Sequence, residues 1–246
     1  MLKKILIALG VVVLLVVAAL APIVSAFLGL VPVQPVTELP GGVVAVADGY
    51  VQAFIIPTGE GGAALIDCGQ DPTAKALKAK LDELKLTVKA IFVTHGHGDH
   101  VGGCVAFPDA PLYALEAERA LVEGTTAAKG PITRFGKNDA TKAHKVARSL
   151  SDGETVELGA AQVQVFAIPG HTAGSAAFLA NGVLFLGDSA TVQTDGKIRN
   201  APWVFSDDTE QCRQSLLALA KRVDASRVQA MAFAHSGPRT GLSLEL

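Results

Sequence analysis

The sequence predicts an α+β fold, a four-layer αββα sandwich preceded by an N-terminal hydrophobic helix. Three observations lead there. Short β-type runs gather in each half of the chain, helical patterns are few, and an apolar run near the N-terminus is unlike anything after it. Two sheets with helices outside bury both faces of each sheet, and two halves of similar rhythm then face one another. With 246 residues the chain can form one substantial core in addition to its N-terminal segment.

From Ile5 to Val31 no residue is charged. Ile5 to Val24 supplies the roughly 20 apolar residues that cross a bilayer as a helix, and Lys3 and Lys4 flank it on the side expected to stay cytoplasmic. Residues 1–31 therefore read as a transmembrane anchor. The alternative is a signal peptide, because Val24-Ser25-Ala26 has the small residues of a cleavage site. Both readings export the domain: it is membrane-anchored outside the cytoplasm, or secreted or periplasmic if cleaved. Two prolines in Pro32-Val33-Gln34-Pro35-Val36 oppose helix, so 32–38 is expected to be a stiff linker and 39–246 the domain.

Val43–Ala47, Val51–Ile56 and Ala63–Ile66, separated by Asp48-Gly49 and Gly59-Glu60-Gly61-Gly62, predict an opening antiparallel meander. Asp71 as N-cap and Pro72 at the first position predict a helix, with Ala74, Leu77, Leu81 and Leu84 at helical spacing. Val88–Val93 is the next strand. In the second half, strands are expected at Gln162–Ala167, Ala176–Leu179 and Val183–Leu186, the last two joined by the hairpin signal Asn181-Gly182. A helix over Thr209–Arg222 and a strand over Ala230–Ala234 follow.

The loop leaving Val88–Val93 reads THGHGDH and holds His95, His97 and His100, three of the six histidines in the chain. Glycines between them relax the backbone so that His95 and His97 can turn to one point, and imidazole is the commonest zinc ligand. Asp99 and His100 add an oxygen and a nitrogen on the opposite side of the loop. Ligands from one side hold an ion poorly, so others must come from elsewhere. His171 in Pro169-Gly170-His171-Thr172, Asp188 in Leu186-Gly187-Asp188-Ser189 and His235 in Ala234-His235-Ser236-Gly237 each follow a predicted strand. Only His144 is left without a role.

These residues resemble the metallo-β-lactamase-fold hydrolases, and the resemblance runs from about Leu39 to Gly237. It is carried by Leu65-Ile66-Asp67-Cys68-Gly69, THGHGDHVGG, PGHTAGS, FLGDS and FAHSGP. The resemblance implies one zinc ion on His95, His97 and His171, a second on Asp99, His100 and His235, and Asp188 bridging them; iron or manganese could take the same ligands. Asp67 is similar to the aspartate that braces the histidine loop from behind. Metal-bound water would then be the nucleophile, with Asp99 orienting the hydroxide and no serine attacking.

A bridging aspartate resembles glyoxalase II and the acyl-homoserine lactonases, whereas the β-lactam-cleaving branches typically carry cysteine or serine there. The expected activity is hydrolysis of a lactone, thioester or related carbonyl ester. Eleven residues follow His235, too few for the helical extension with which glyoxalase II holds glutathione, so a compact lactonase-like form is expected. The alternatives are a persulfide dioxygenase with one iron ion and a β-lactam hydrolase. A membrane-tethered module without activity would have lost ligands, and none is lost.

A net charge of −2 gives no reason to expect nucleic acid, and the partner implied is a small-molecule substrate. Between Gly124 and Arg148, however, Lys129, Arg134, Lys137, Lys142, Lys145 and Arg148 face only Asp139. The stretch reads as a solvated insertion or as an electropositive rim for anionic substrates or acidic headgroups. Trp203, between Asp188 and His235, is a candidate pocket residue or core residue. Cys68, Cys104 and Cys212 show no metal or disulfide spacing and read as small buried hydrophobes.

Overall fold

The computed structural model of the chain describes residues 2–139 and 142–245. Two sheets carry it. The first runs in sequence order: β1 (Val36–Glu38), β2 (Val44–Asp48), β3 (Val51–Gly59), β4 (Gly62–Ile66), β5 (Thr87–Phe92), β6 (Leu112–Leu115) and β7 (Val146–Leu150). The second contains β8 (Thr155–Leu158), β9 (Ala161–Ala167), β10 (Ala176–Ala180), β11 (Val183–Phe185), β14 (Ala230–Ala232) and β15 (Arg239–Thr240). A ribbon of β12 (Ala190–Val192) and β13 (Ile198–Asn200) lies between β11 and β14 in sequence.

Three apolar clusters separate four layers. Phe54, Ile56, Val163, Val165 and Phe178 fill the space between the sheets. Ile55 and Leu65, on the other face of the first sheet, pack against Leu77 and Leu81 of α2 (Lys75–Leu84). Phe166 and Leu179 do the same for the second sheet against Leu216 and Leu219 of α4 (Thr209–Arg222). Because both faces of each sheet are covered, strands such as β3, β4 and β10 are apolar at successive positions rather than alternate ones.

The structure departs from the sequence reading in three places. The end of the expected linker is strand: Val36, Thr37 and Glu38 pair with Val46, Ala45 and Val44, so residues 36–38 form the edge strand of the first sheet. An extended, proline-limited segment suits an edge as well as a tether. The helix expected from Asp71 starts at Lys75, after Ala74 with φ +48°. Asp71 instead closes a turn, its carboxylate accepting from the Thr73 N–H and hydroxyl and from the Lys75 N–H. Strands β6, β7 and β8 carry no strong alternating signal and are additions to the predicted set.

The N-terminal segment forms α1 (Leu2–Phe27), and every described side chain from Lys4 to Leu20 is exposed. Its exit is tied to the domain. The Val31 N–H donates to the Val192 carbonyl (3.0 Å) and the Thr194 N–H to Gly29 (2.8 Å), while the Val31 carbonyl accepts from the Gly237 N–H (2.9 Å).

Candidate metal centre

Five strands from both sheets stop at one rim. Asp67 follows β4, the THGHGDH loop follows β5, His171 follows β9, Asp188 follows β11 and His235 follows β14. Strands that end together place the side chains of their loops at one point although up to 168 residues of sequence separate Asp67 from His235. Asp99 and His100 are lifted by a single helical turn, α3 (Gly98–Val101).

The seven sequence-predicted ligand residues form two adjoining groups, His95, His97, His171 with Asp188, and Asp99, His100 with His235. In the first, His95 Nε2, His97 Nδ1 and His171 Nε2 stand 3.0, 3.1 and 3.2 Å from one another. Donor atoms about 2.0–2.1 Å from a tetrahedral ion are about 3.3 Å apart, so this triangle is nearly the face of such a site. In the second, His100 Nε2 is 3.1 Å from Asp188 Oδ1, and His235 Nε2 is 3.1 Å from Asp188 Oδ2 and 3.4 Å from Asp99 Oδ2. Asp188 Oδ2 also lies 3.6 Å from His171 Nε2 and 3.9 Å from His95 Nε2. Among the described residues, Asp188 is therefore the one carboxylate that straddles both groups.

Hydrogen bonds behind the rings set their tautomers. Asp67 Oδ1 accepts from the Thr94 N–H (2.8 Å) and Oδ2 from the Thr94 hydroxyl (2.6 Å), leaving that hydroxyl to accept from His95 Nδ1 (3.2 Å). His100 Nδ1 donates to Asp67 Oδ2 (2.8 Å). His171 Nδ1 donates to Ser206 Oγ (3.0 Å), whose own proton goes to the Pro202 carbonyl (2.8 Å), and His235 Nδ1 donates to the Tyr50 carbonyl (2.9 Å). In all four histidines the Nε2 lone pair is turned to the centre, as metal ligation requires. Neutral His95 and His171 then bring two lone pairs within 3.2 Å, an arrangement that repels unless a cation joins them.

Charge supports the same fit. Burial holds His95 and His171 well below the ordinary imidazole range and lowers His97, so these three remain neutral. Burial also works against charge on His100 and His235, but Asp188 and Asp99 outweigh it and raise both, with Asp67 adding to the effect on His100. The carboxylates are thus matched by protons that a bound cation would displace. His100 Nε2 and Asp188 Oδ1 are buried and make no hydrogen bond, although they nearly touch. The donor set fits two divalent ions.

Sequence reasoning missed Glu118. It is fully buried, with Oε1 accepting from the Gly96 N–H (2.7 Å) and Oε2 from the Gly174 N–H (2.8 Å). One carboxylate thereby clasps the loop of His95 and His97 to the loop of His171. A Cβ at Gly174 would lie 2.4 Å from the Glu118 nitrogen, so only glycine permits the approach. Burial pushes the Glu118 carboxyl up to about 7 despite the hydrogen bonds from Gly96, Thr172 and Gly174. Nothing in Leu115-Glu116-Ala117-Glu118-Arg119 separates this glutamate from exposed Glu116; only its burial does.

A cavity of about 810 Å³ opens over the centre, and His97, Asp99, Asp188 and His235 form its floor. Trp203 is not part of its wall: the side chain is 57% exposed, and Pro202 and Phe205 on either side of it line the cavity instead. The tight turn through Pro202–Ser206 that positions Ser206 under His171 turns Trp203 outward. His144 lies apart, with its Nε2 against the Phe107 carbonyl.

Comparison with known proteins agrees with this geometry. A family model described as the metallo-beta-lactamase superfamily matches residues 46–227. The hydroxyacylglutathione hydrolase of Synechococcus sp. (strain JA-3-3Ab) is 33% identical over 165 residues, covering 64% of this chain and 55% of the relative. That of Xanthomonas axonopodis pv. citri (strain 306) is 33% identical over 146 residues, covering 58% and 46%. The chain spans about half the length of these curated relatives. Among solved structures, a B3 metallo-beta-lactamase with an active-site glutamic acid superposes with a TM-score of 0.64 at 23% identity, over 87% of this chain and 85% of that one. BLEG-1, another B3 metallo-beta-lactamase, gives 0.58 at 23%, over 80% and 93%. At such identities these two likenesses speak for the fold alone. The family match covers most of the chain and includes six of the seven clustered ligand residues, and the chain belongs to the metallo-beta-lactamase superfamily.

Proposed function

We propose that the chain is a zinc-dependent hydrolase that opens an ester-like carbonyl bond, in a thioester, lactone or related ester. The observation that carries this reading is Asp188, whose two oxygens reach both ligand groups. His95, His97 and His171 would hold one ion, Asp99, His100 and His235 the other, and Asp188 both. Bound there, two zinc ions supply Lewis acidity and an ionised water at neutral pH. The chain's own residues do the rest. Asp99, at the cavity floor, orients the attacking water, accepts its proton and can return it to the leaving group. Thr94, Asp67, Ser206 and the Tyr50 carbonyl keep the histidine rings from turning, so the site is organised before substrate arrives.

The curated relatives, by name hydrolases of an acyl-glutathione, support a thioester or ester rather than a β-lactam. The apolar N-terminal helix supports an exported, membrane-held domain. The test is a panel of thioester, lactone, phosphodiester and β-lactam substrates offered to the zinc-loaded full chain. Hydrolysis of thioesters or lactones with little action on β-lactams is expected; a preference for β-lactams, or iron at about one ion per chain after purification, would overturn the reading.

A further inference from the structure

The cavity over the metal centre is walled in part by the helix that leads into the domain. Ile23, Ala26 and Phe27 from the last turns of α1, with Leu30 just beyond, line it together with His97, Asp99, Asp188 and His235. Phe27 packs edge-on against His235 (5.9 Å between ring centroids) and against Tyr50 and Phe205 (6.2 Å each). The contact is anchored, because Gly29 and Val31 are hydrogen-bonded to Val192, Thr194 and Gly237.

Among the described residues, the rest of α1 has no partner in the fold and is exposed from Lys4 to Leu20. Its 26 residues span ~39 Å, and the 20 from Ile5 to Val24 span ~30 Å, the thickness of a bilayer's hydrocarbon core. An apolar surface of this size is not left in water. Inserted through Val24, the helix leaves the hydrocarbon just where its side chains begin to line the cavity, at Ile23. Other residues around the mouth suit that level. Phe135 is 86% exposed and sits between cavity-lining Thr133 and Gly136; exposed Trp203 sits between Pro202 and Phe205. Tryptophan collects at the membrane boundary, and exposed phenylalanine is a residue that interfacial segments bury in it. Lys137 lines the mouth as well, a cation at the level where acidic headgroups would lie.

We propose that the mouth of the active site lies on the membrane surface, and that the substrate is an amphiphile whose hydrocarbon chain runs along Ile23, Ala26, Phe27 and Leu30. The substrate class is a long-chain acyl ester, thioester or lactone, drawn from the leaflet with its carbonyl delivered to the metal centre. The hydrolysis rests on the reading under Proposed function; the membrane placement does not. The helix is then a working wall of the site, and cleavage after Ala26 would remove Ile23 and Ala26 from it.

The full chain, reconstituted in vesicles of phosphatidylcholine and phosphatidylglycerol, tests both parts. Trp203 is the sole tryptophan, so its fluorescence reports the rim alone. In vesicles whose acyl chains carry bromine it should be quenched strongly relative to unbrominated ones; no quenching would overturn the membrane placement. With a series of acyl thioesters and esters of rising chain length, kcat/KM should climb by about twofold to fourfold per methylene until the groove is filled. Ala26→Trp, which fills the groove, should lower the ratio of long-chain to short-chain kcat/KM at least tenfold. Hydrolysis of short and long chains at equal kcat/KM would overturn the acyl groove while leaving the hydrolase reading intact. Quenching without hydrolysis of any ester would overturn the hydrolase reading and the acyl substrate with it, and leave the membrane placement supported.

Discussion

The two ligand groups differ in kind. His95, His97 and His171 are neutral nitrogens, His95 and His171 buried and held by hydrogen bonds from behind and His97 at the cavity floor, and their geometry is already that of a coordination face. Asp99, His100 and His235 mix oxygen with nitrogen, both histidines lean on Asp188, and Asp99 and His235 stand partly open to the cavity while His100 is buried. The first group is a preformed socket; the second is completed by a shared carboxylate. The first should therefore bind its ion the more tightly, and the second should govern turnover, because it meets the substrate.

Asp188 is where that contrast breaks most easily. Asp188→Asn keeps the shape but removes the negative charge between two dications, and it should lower kcat by something on the order of a hundredfold while circular dichroism stays unchanged. The ion held by Asp99, His100 and His235 should be lost at lower chelator concentration than its neighbour. Full turnover with both ions retained would reduce Asp188 to a strand-end structural residue and remove the argument against β-lactam substrates.

Glu118 sharpens the comparison from the other side, since its two hydrogen bonds fall at Gly96, between His95 and His97, and at Gly174, in the loop of His171. Glu118→Gln keeps the size but offers an amide N–H₂ to one of the two backbone donors. Zinc affinity of the first group should fall roughly tenfold to a hundredfold, with a smaller effect on the second. Its carboxyl titrates near 7 in the folded chain and, unperturbed, near 4.5 when unfolded. The folded state binds the proton more tightly, so the burial cost is absent below about pH 4.5 and grows as pH rises to about 7. It is on the order of 3 kcal/mol at most. In metal-free protein, wild type should lose stability relative to Glu118→Gln across that window by urea denaturation; a constant difference would show that the carboxyl is not held in the protonated form.

The ligands were legible in the sequence because chemistry forces them together: THGHGDH concentrates donors in one loop, and His171, Asp188 and His235 each follow an apolar run that reads as a strand. Asp67 was legible only through the resemblance of its strand-end motif. Glu118 and Ser206 were not legible, because each acts through burial and one or two backbone or ring contacts that no local spacing encodes. In the fold, β3 and β4 announce themselves by continuous apolar residues, whereas the edge strand β7, Val-Ala-Arg-Ser-Leu, hides in a basic stretch because only its ends are buried. Residues 36–38 misled for the same reason, since an edge strand and a tether share an extended, polar-tolerant pattern.

The smallest effect should come from His144, which stands outside both groups with Nε2 at the Phe107 carbonyl. His144→Ala should leave metal content and kcat/KM within about twofold of wild type, and a larger loss of metal would mean that a ligand has been missed.

The most direct measurement is a zinc titration of chelator-stripped full chain and of His235→Ala, followed by elemental analysis. Two ions per chain in the wild type, falling to one tightly held ion in His235→Ala, is the predicted result. One ion in both proteins, or two retained without His235, would contradict a preformed histidine socket joined through Asp188 to a second, dependent site.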